Sequence, residues 1–177
     1  MKKISHVILI WGGVMWAFNT QAQDLSLDEI RHQFYMTTLD YQHAFPLIEK
    51  LQTIEDPTAL ELAYIGATEA ILAKPGWNVF KKVGHLRNSR DCFKEAVEFD
   101  MKDLEIRFLR LAVEHHIPKY LGYSKNIEKD KSMIMDNIAF FSNKNLPQEI
   151  ADYIIRFSME SGLYSEEEVE QVRRAFQ

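Results

Sequence analysis

The chain has one cysteine, five prolines and seven glycines in 177 residues, and each scarcity removes a class of protein. A lone thiol cannot build an intramolecular disulfide framework or a multi-cysteine zinc cluster. Few glycines and prolines beside 46% apolar residues exclude a collagen-like repeat and a disordered chain. Basic residues are outnumbered, 21 against 26 acids, and a net charge of −5 argues against a nucleic-acid partner, which would need a clustered positive field to displace counterions. The apolar stretch at residues 7–18 falls short of the roughly 20 residues that span a bilayer as a helix.

That stretch follows Lys2 and Lys3 and precedes Asn19-Thr20-Gln21-Ala22, whose small residues are spaced as a signal peptidase requires. Residues 1–22 therefore read as a secretory signal peptide cleaved after Ala22, the alternative being an uncleaved anchor. No cysteine follows the apolar core, so no lipoprotein anchor is expected. The expected location is periplasmic or extracellular, with no integral membrane segment after cleavage. Losing Lys2 and Lys3 leaves 19 basic residues against 26 acids, a net of −7, on residues 23–177. That length suits a single helical domain, which buries roughly 70% of the surface its unfolded chain exposes. Cys92, beside Phe93, Ala96 and Val97, reads as a small packed residue.

Helix signals dominate what is present. Ser26-Leu27-Asp28-Glu29 has the form of a capping box, with Leu25 and Ile30 as its hydrophobic staple, and opens a stripe of Leu27, Ile30, Phe34, Thr38 and Tyr41. Ser165-Glu166-Glu167-Glu168 repeats the device before a charged helix with one narrow stripe, Val169, Val172 and Phe176. Asp56-Pro57 predicts an N-cap and first-turn proline for a helix over 58–73. That helix is apolar on two sides, and its Gly66 would let a neighbour approach closely. Further helices are expected over 45–51, 79–99, 103–117, 126–141, 147–161 and 165–176, with Gly162 as a C-cap. No strand pattern competes. About eight helices with short connectors predict an all-α fold of antiparallel hairpins, stacked as a short solenoid or a bundle. One-sided end helices and two-sided middle helices favour the solenoid.

Within 103–117, Leu104, Phe108, Leu111 and Ala112 lie to one side of a polar stripe, and Ile106, Leu109 and Val113 to the other. The stripe itself is Asp103, Arg107, Arg110 and Glu114. It reads either as an intrahelical salt-bridge ladder worth a few tenths of a kcal/mol per pair, or as the lining of a groove where two arginines grip an anion. Residues 74–94 hold Lys74, Lys81, Lys82, Arg87, Arg90 and Lys94 against Asp91 alone, a local +5 within a remainder of −12. Such a segment either neutralises acidic neighbours or docks an anionic group such as a phosphate headgroup, an acidic peptide or a glycan. The connectors at Trp77 and at Pro118-Lys119-Tyr120-Leu121-Gly122-Tyr123 are aromatic, which suits a plug between hairpins or a recognition surface.

Catalytic patterns are thin. There is no HExxH, CxxC or GxSxG, no Gly-rich phosphate cradle and no cofactor signature. His115 and His116 point about 100° apart on one helix, which suits a helix C-terminus better than a metal site. No metal ligand set is expected.

Glu105-Ile106-Arg107-Phe108-Leu109-Arg110-Leu111, Pro118-Lys119-Tyr120-Leu121-Gly122-Tyr123 and Ile127-Glu128-Lys129-Asp130-Lys131 resemble, in order and spacing, an uncharacterised family of exported bacterial all-helical, tetratricopeptide-like proteins. Asn78-Val79-Phe80-Lys81-Lys82 and Ala96-Val97-Glu98-Phe99-Asp100 are similar to its pattern too, so the likeness spans residues 24–165. One departure is Val79, where that pattern has proline. The resemblance implies a tetratricopeptide-like fold and export, and no activity. The sequence thus points to a non-catalytic protein- or peptide-binding or scaffold module, its partner carrying acidic groups, with Trp77, Lys81, Lys82, Arg107, Arg110 and Tyr123 as candidate binding residues. The alternative is a small helical hydrolase or transferase using a histidine–carboxylate pair, through His85 or His115.

Overall fold

The computed structural model describes residues 25–74, 78–142 and 145–176. The expected signal peptide and Trp77 lie outside them. The described residues form nine α-helices and no strand: α1 Leu27–Leu39, α2 Ala44–Leu51, α3 Ala59–Leu72, α4 Val79–Phe99, α5 Leu104–His116, α6 Ile127–Asp136, α7 Ile138–Ser142, α8 Gln148–Glu160 and α9 Glu166–Phe176. The fold is all-α. Among the described residues no helix is long and apolar enough to cross a membrane.

Caps explain where the helices start. Ser26 accepts from the Glu29 amide at 3.3 Å, and the Ser165–Glu168 box closes in both directions, at 3.2 and 2.7 Å. For α3 the expected cap shifts by two residues. Thr58, not Asp56, is the N-cap, because Thr58 and Glu61 form a reciprocal capping box at 3.3 and 2.7 Å that leaves Pro57 outside the helix. Asn78 caps α4, so Val79 occupies the first helical position. Proline is favoured there, so the departure at Val79 leaves the helix start intact.

Two boundaries differ from expectation. Helix α1 stops at Leu39, since the Asp40 carboxylate accepts from the Gln42 amide and starts a 3-10 turn, leaving Tyr41 exposed rather than in the stripe. The single helix expected over 126–141 breaks at Asn137, whose side-chain amide donates to the Met133 carbonyl at 2.9 Å and so competes for the backbone.

Helix α5 is the partition wall. Ile106 and Leu109 join Ile30, Phe34, Leu47, Tyr64 and Ala67 in one core, with Val113 packed against it. Leu104, Phe108, Leu111 and Ala112 face the other, formed with α6 to α9. Helices α3 and α4 run antiparallel, because Gly66 meets Ser89, Cys92 and Phe93 while Glu69 meets His85. Helices α1 and α8 run parallel, with His32 on Glu149 and Tyr35 beside Arg156. End helix α9 buries only Val172 among its described residues.

A Cβ on Gly66 would lie 3.1 Å from both the Cys92 Cβ and the Ser89 carbonyl oxygen, and 3.3 Å from the Phe93 ring. The first two are fixed to the α4 backbone and cannot turn aside. Alanine gains about 1 kcal/mol in helix propensity over glycine, whereas overpacking costs about 1–3 kcal/mol. Gly66→Ala is therefore expected to lower the Tm by a few degrees in calorimetry, and Gly66→Val by more. A Tm at or above wild type would mean that α4 shifts freely on α3. The same contact half-buries Cys92, and burial with nearby Glu69, Glu95 and Asp91 pushes its thiol up to about 11, so it stays protonated and inert at neutral pH.

Candidate functional site

The two arginines of the polar stripe turn inward. Arg107 and Arg110 are 3% and 8% exposed and share Asp130, which is fully buried on α6. Arg107 Nη1 donates to Asp130 Oδ1 at 3.0 Å and its other nitrogens to the Met101 carbonyl at 2.6 and 3.1 Å. Arg110 grips both carboxylate oxygens at 2.7 Å. Neither reading of the stripe describes this arrangement. The arginines lock α5 to α6, Glu114 accepts from the Asn126 amide and side chain, and Asp103 caps α5. The signal for Asp130 is in the sequence: it falls between Ile127 and Ile134 on the buried face of α6.

A second buried cluster joins α1, α3 and α5. Arg31 donates to both oxygens of Glu105 at 2.8 and 2.7 Å, and the Tyr64 hydroxyl donates to Oε1 at 2.7 Å. Burial alone would lower the Arg31 pKa, but the hydrogen bond and charge of Glu105 outweigh it and hold the guanidinium protonated. Burial, then the Glu105 charge, raises Tyr64 well above the usual tyrosine range. Every buried side-chain nitrogen and oxygen among the described residues has a hydrogen-bond partner.

The larger cleft lies elsewhere, where the C-terminal turns of α1, α3, α5 and α8 meet the start of α4. It encloses about 690 Å³. Phe34, Ala67, Ile71, Leu86 and Phe157 form an apolar floor, and Leu39, 56% exposed, stands at its edge. Lys74, Lys82 and Arg156 line it with His115, His116 and one acid, Glu160. Each helix C-terminus carries about half a negative charge, so four ends roughly cancel the surplus of the three cations over Glu160. Charge here orients a ligand, and the apolar floor must supply the affinity. His116 Nδ1 donates to the Ala112 carbonyl at 2.7 Å, the helix-terminal role its position predicts. Burial, His116 and Lys119 lower the His115 pKa, which keeps that ring neutral against Phe157 at neutral pH.

A smaller cleft of about 350 Å³ lies between α4, α5 and the 118–126 connector. Arg110, Glu114, Asn126 and Tyr123 line it, and the Arg90 guanidinium sits 5.8 Å from the Tyr123 ring centre, tying the connector to α4. Gly122 turns this connector with φ of 73°, a conformation that favours glycine.

The six candidate residues therefore do not converge. Lys82 is in the larger cleft, Arg110 and Tyr123 are in the smaller, Arg107 is locked inside, Lys81 is exposed on α4, and Trp77 is outside the described residues. Leu39 and Arg156 come from α1 and α8 and Lys74 from the segment after α3, and the three carry no shared sequence signal. Histidine–carboxylate pairs exist at His85–Glu69, 2.6 Å, and His32–Glu149, 2.8 Å. His85 lines neither cleft and bridges α4 to α3, with Asn88 also donating to Glu69. Among the described residues no group of three or more His, Cys, Asp or Glu is placed to hold a metal ion. Comparison with protein-family models, with curated proteins and with solved structures finds no match for this chain.

Proposed function

We propose that this protein is an exported, non-catalytic binding module of tetratricopeptide-like build, whose larger cleft takes an apolar peptide or protein segment with an acidic flank. The observation that supports the reading is the cleft itself. Its volume lies in the range of ligand sites, its floor is apolar, and its few cations outnumber its acid. Lys74 and Lys82 face the acidic flank while Leu39, Ile71 and Phe157 take the apolar side chains. Arg107 and Arg110, engaged by Asp130, belong to the scaffold that holds the cleft walls.

Panning a display library of short peptides on the protein tests this. Enriched peptides are expected to combine leucine, isoleucine or phenylalanine with aspartate or glutamate. Leu39→Glu and Lys82→Glu are each expected to weaken them about tenfold, equal to ~1.4 kcal/mol. Enrichment that survives both substitutions, or none above an unrelated helical protein, overturns the reading. The hydrolase or transferase reading would use His85, whose hydrogen bond to Glu69 sits on a helix seam apart from both clefts, or His115, which lines the larger cleft packed against Phe157.

A further inference from the structure

We infer that the first two turns of α4, with the 119–121 turn, form a patch that docks the protein on an anionic lipid surface. Phe80 is 91% exposed, and Val79 and Val83 are exposed on the same two turns. Burying aromatic and branched side chains is what a helix of this size is built to do, yet α4 buries only Ser89, Phe93 and Ala96, from its midpoint onward. Across the cleft mouth, the 3-10 turn Lys119–Leu121 holds Tyr120 at 86% exposure, with Leu121 also exposed. The two segments flank the same cleft, which Lys82 and Leu86 of α4 line together with Pro118 and Leu121.

Charge selects the partner. From Lys74 to Arg90 the chain has five basic residues and no acid, and Lys119 adds to them, whereas the whole protein is acidic. The patch thus carries a local excess of basic side chains on an acidic protein, which favours a negative partner surface. Its cations outside the cleft, Lys81 and Lys119, are lysines, and lysine is depleted in protein–protein interfaces. Exposed phenylalanine and tyrosine interleaved with lysine instead match the composition of the headgroup region, where the ring enters the acyl boundary and the ammonium stays with the lipid phosphates. The contact lies on the surface and involves no spanning helix. It borders the peptide seat, sharing Lys74, Lys82 and Leu121 with the cleft rim, whereas Phe80, Lys81, Lys119 and Tyr120 do not line the cleft and belong to the patch alone.

Sedimentation of the full chain with vesicles tests the patch, comparing phosphatidylglycerol–phosphatidylcholine mixtures with phosphatidylcholine alone. Binding is expected to the anionic vesicles only and to weaken as salt is raised. Phe80→Ser and Lys81→Glu are each expected to reduce the partition coefficient about tenfold. Phe140→Ser, which removes another largely exposed aromatic on α7, serves as the control and is expected to change nothing. Residues 1–24 are common to all variants, so the difference between wild type and each variant reports the substituted position. Equal binding to both vesicle types, no binding, or an equal loss in Phe80→Ser and Phe140→Ser overturns the proposal. So does a wild-type dimer that Phe80→Ser dissociates, which would place a second copy on the patch.

Discussion

Asp130→Ala is expected to cost about 3–5 kcal/mol of folding stability, because it strands two buried guanidinium groups at once. Asp130 is fully buried, and three hydrogen bonds of 2.7 to 3.0 Å run to it from Arg107 and Arg110. Arg107 keeps the Met101 carbonyl, so the larger share of the loss falls on Arg110. Native proteins hold only about 5–15 kcal/mol in total, so the change consumes a large part of it. Urea unfolding followed by circular dichroism reads it directly. The decisive comparison is the triple variant Asp130→Ala, Arg107→Met, Arg110→Met. Replacing a buried ionic cluster by apolar residues of similar size is often neutral, so the triple variant should recover most of what the single one loses. A single variant that loses less than about 1 kcal/mol would mean water reaches the arginines.

Glu105→Ala is expected to be the second most damaging change, at about 3 kcal/mol, through loss of the buried partner of Arg31 and Tyr64. It ranks below Asp130→Ala for a geometric reason. Arg31 retains Asp28, 3.0 Å away and largely in water, whereas the Tyr64 hydroxyl, with no exposed surface on its residue, loses the acceptor it donates to. Adding Tyr64→Phe to Glu105→Ala should therefore recover about 1 kcal/mol, the cost of the orphaned hydroxyl. The same urea series measures both. A pair whose effects simply add would show that the tyrosine and the carboxylate are energetically independent.

These two clusters explain why the stripe on α5 reads ambiguously from its own residues. An arginine at a helical spacing from Asp103 or Glu114 looks like half of a ladder, and two arginines on one stripe look like a grip for a ligand. What decides is Asp130, 20 positions beyond Arg110, and its carboxylate reaches Arg110 only because α6 folds back antiparallel on α5. The Arg31–Glu105 pair is separated by 74 positions and is less visible still. A buried charge inside an apolar stripe was the available sign in each case, Asp130 between Ile127 and Ile134 and Arg31 between Ile30 and Phe34. The cleft offered only part of such a sign: Lys74 and Lys82 lie in the basic segment 74–94, but Arg156 and the apolar floor come from helices far apart in the chain that no local periodicity links.

The sequence by itself determined the all-α class, most helix starts and the two apolar faces of α5, because caps and a 3.6-residue period act within a few residues of one another. It also determined that Gly66 admits a neighbouring helix. Tertiary structure alone decided which charges face inward and which line a cleft. Helices α1 and α8 run side by side in the same direction and bring Leu39, Arg156 and Glu160 to one end with Lys74 and Lys82. Burying a charge is tolerable only where an opposite charge with matching geometry meets it, and that meeting depends on how distant segments pack.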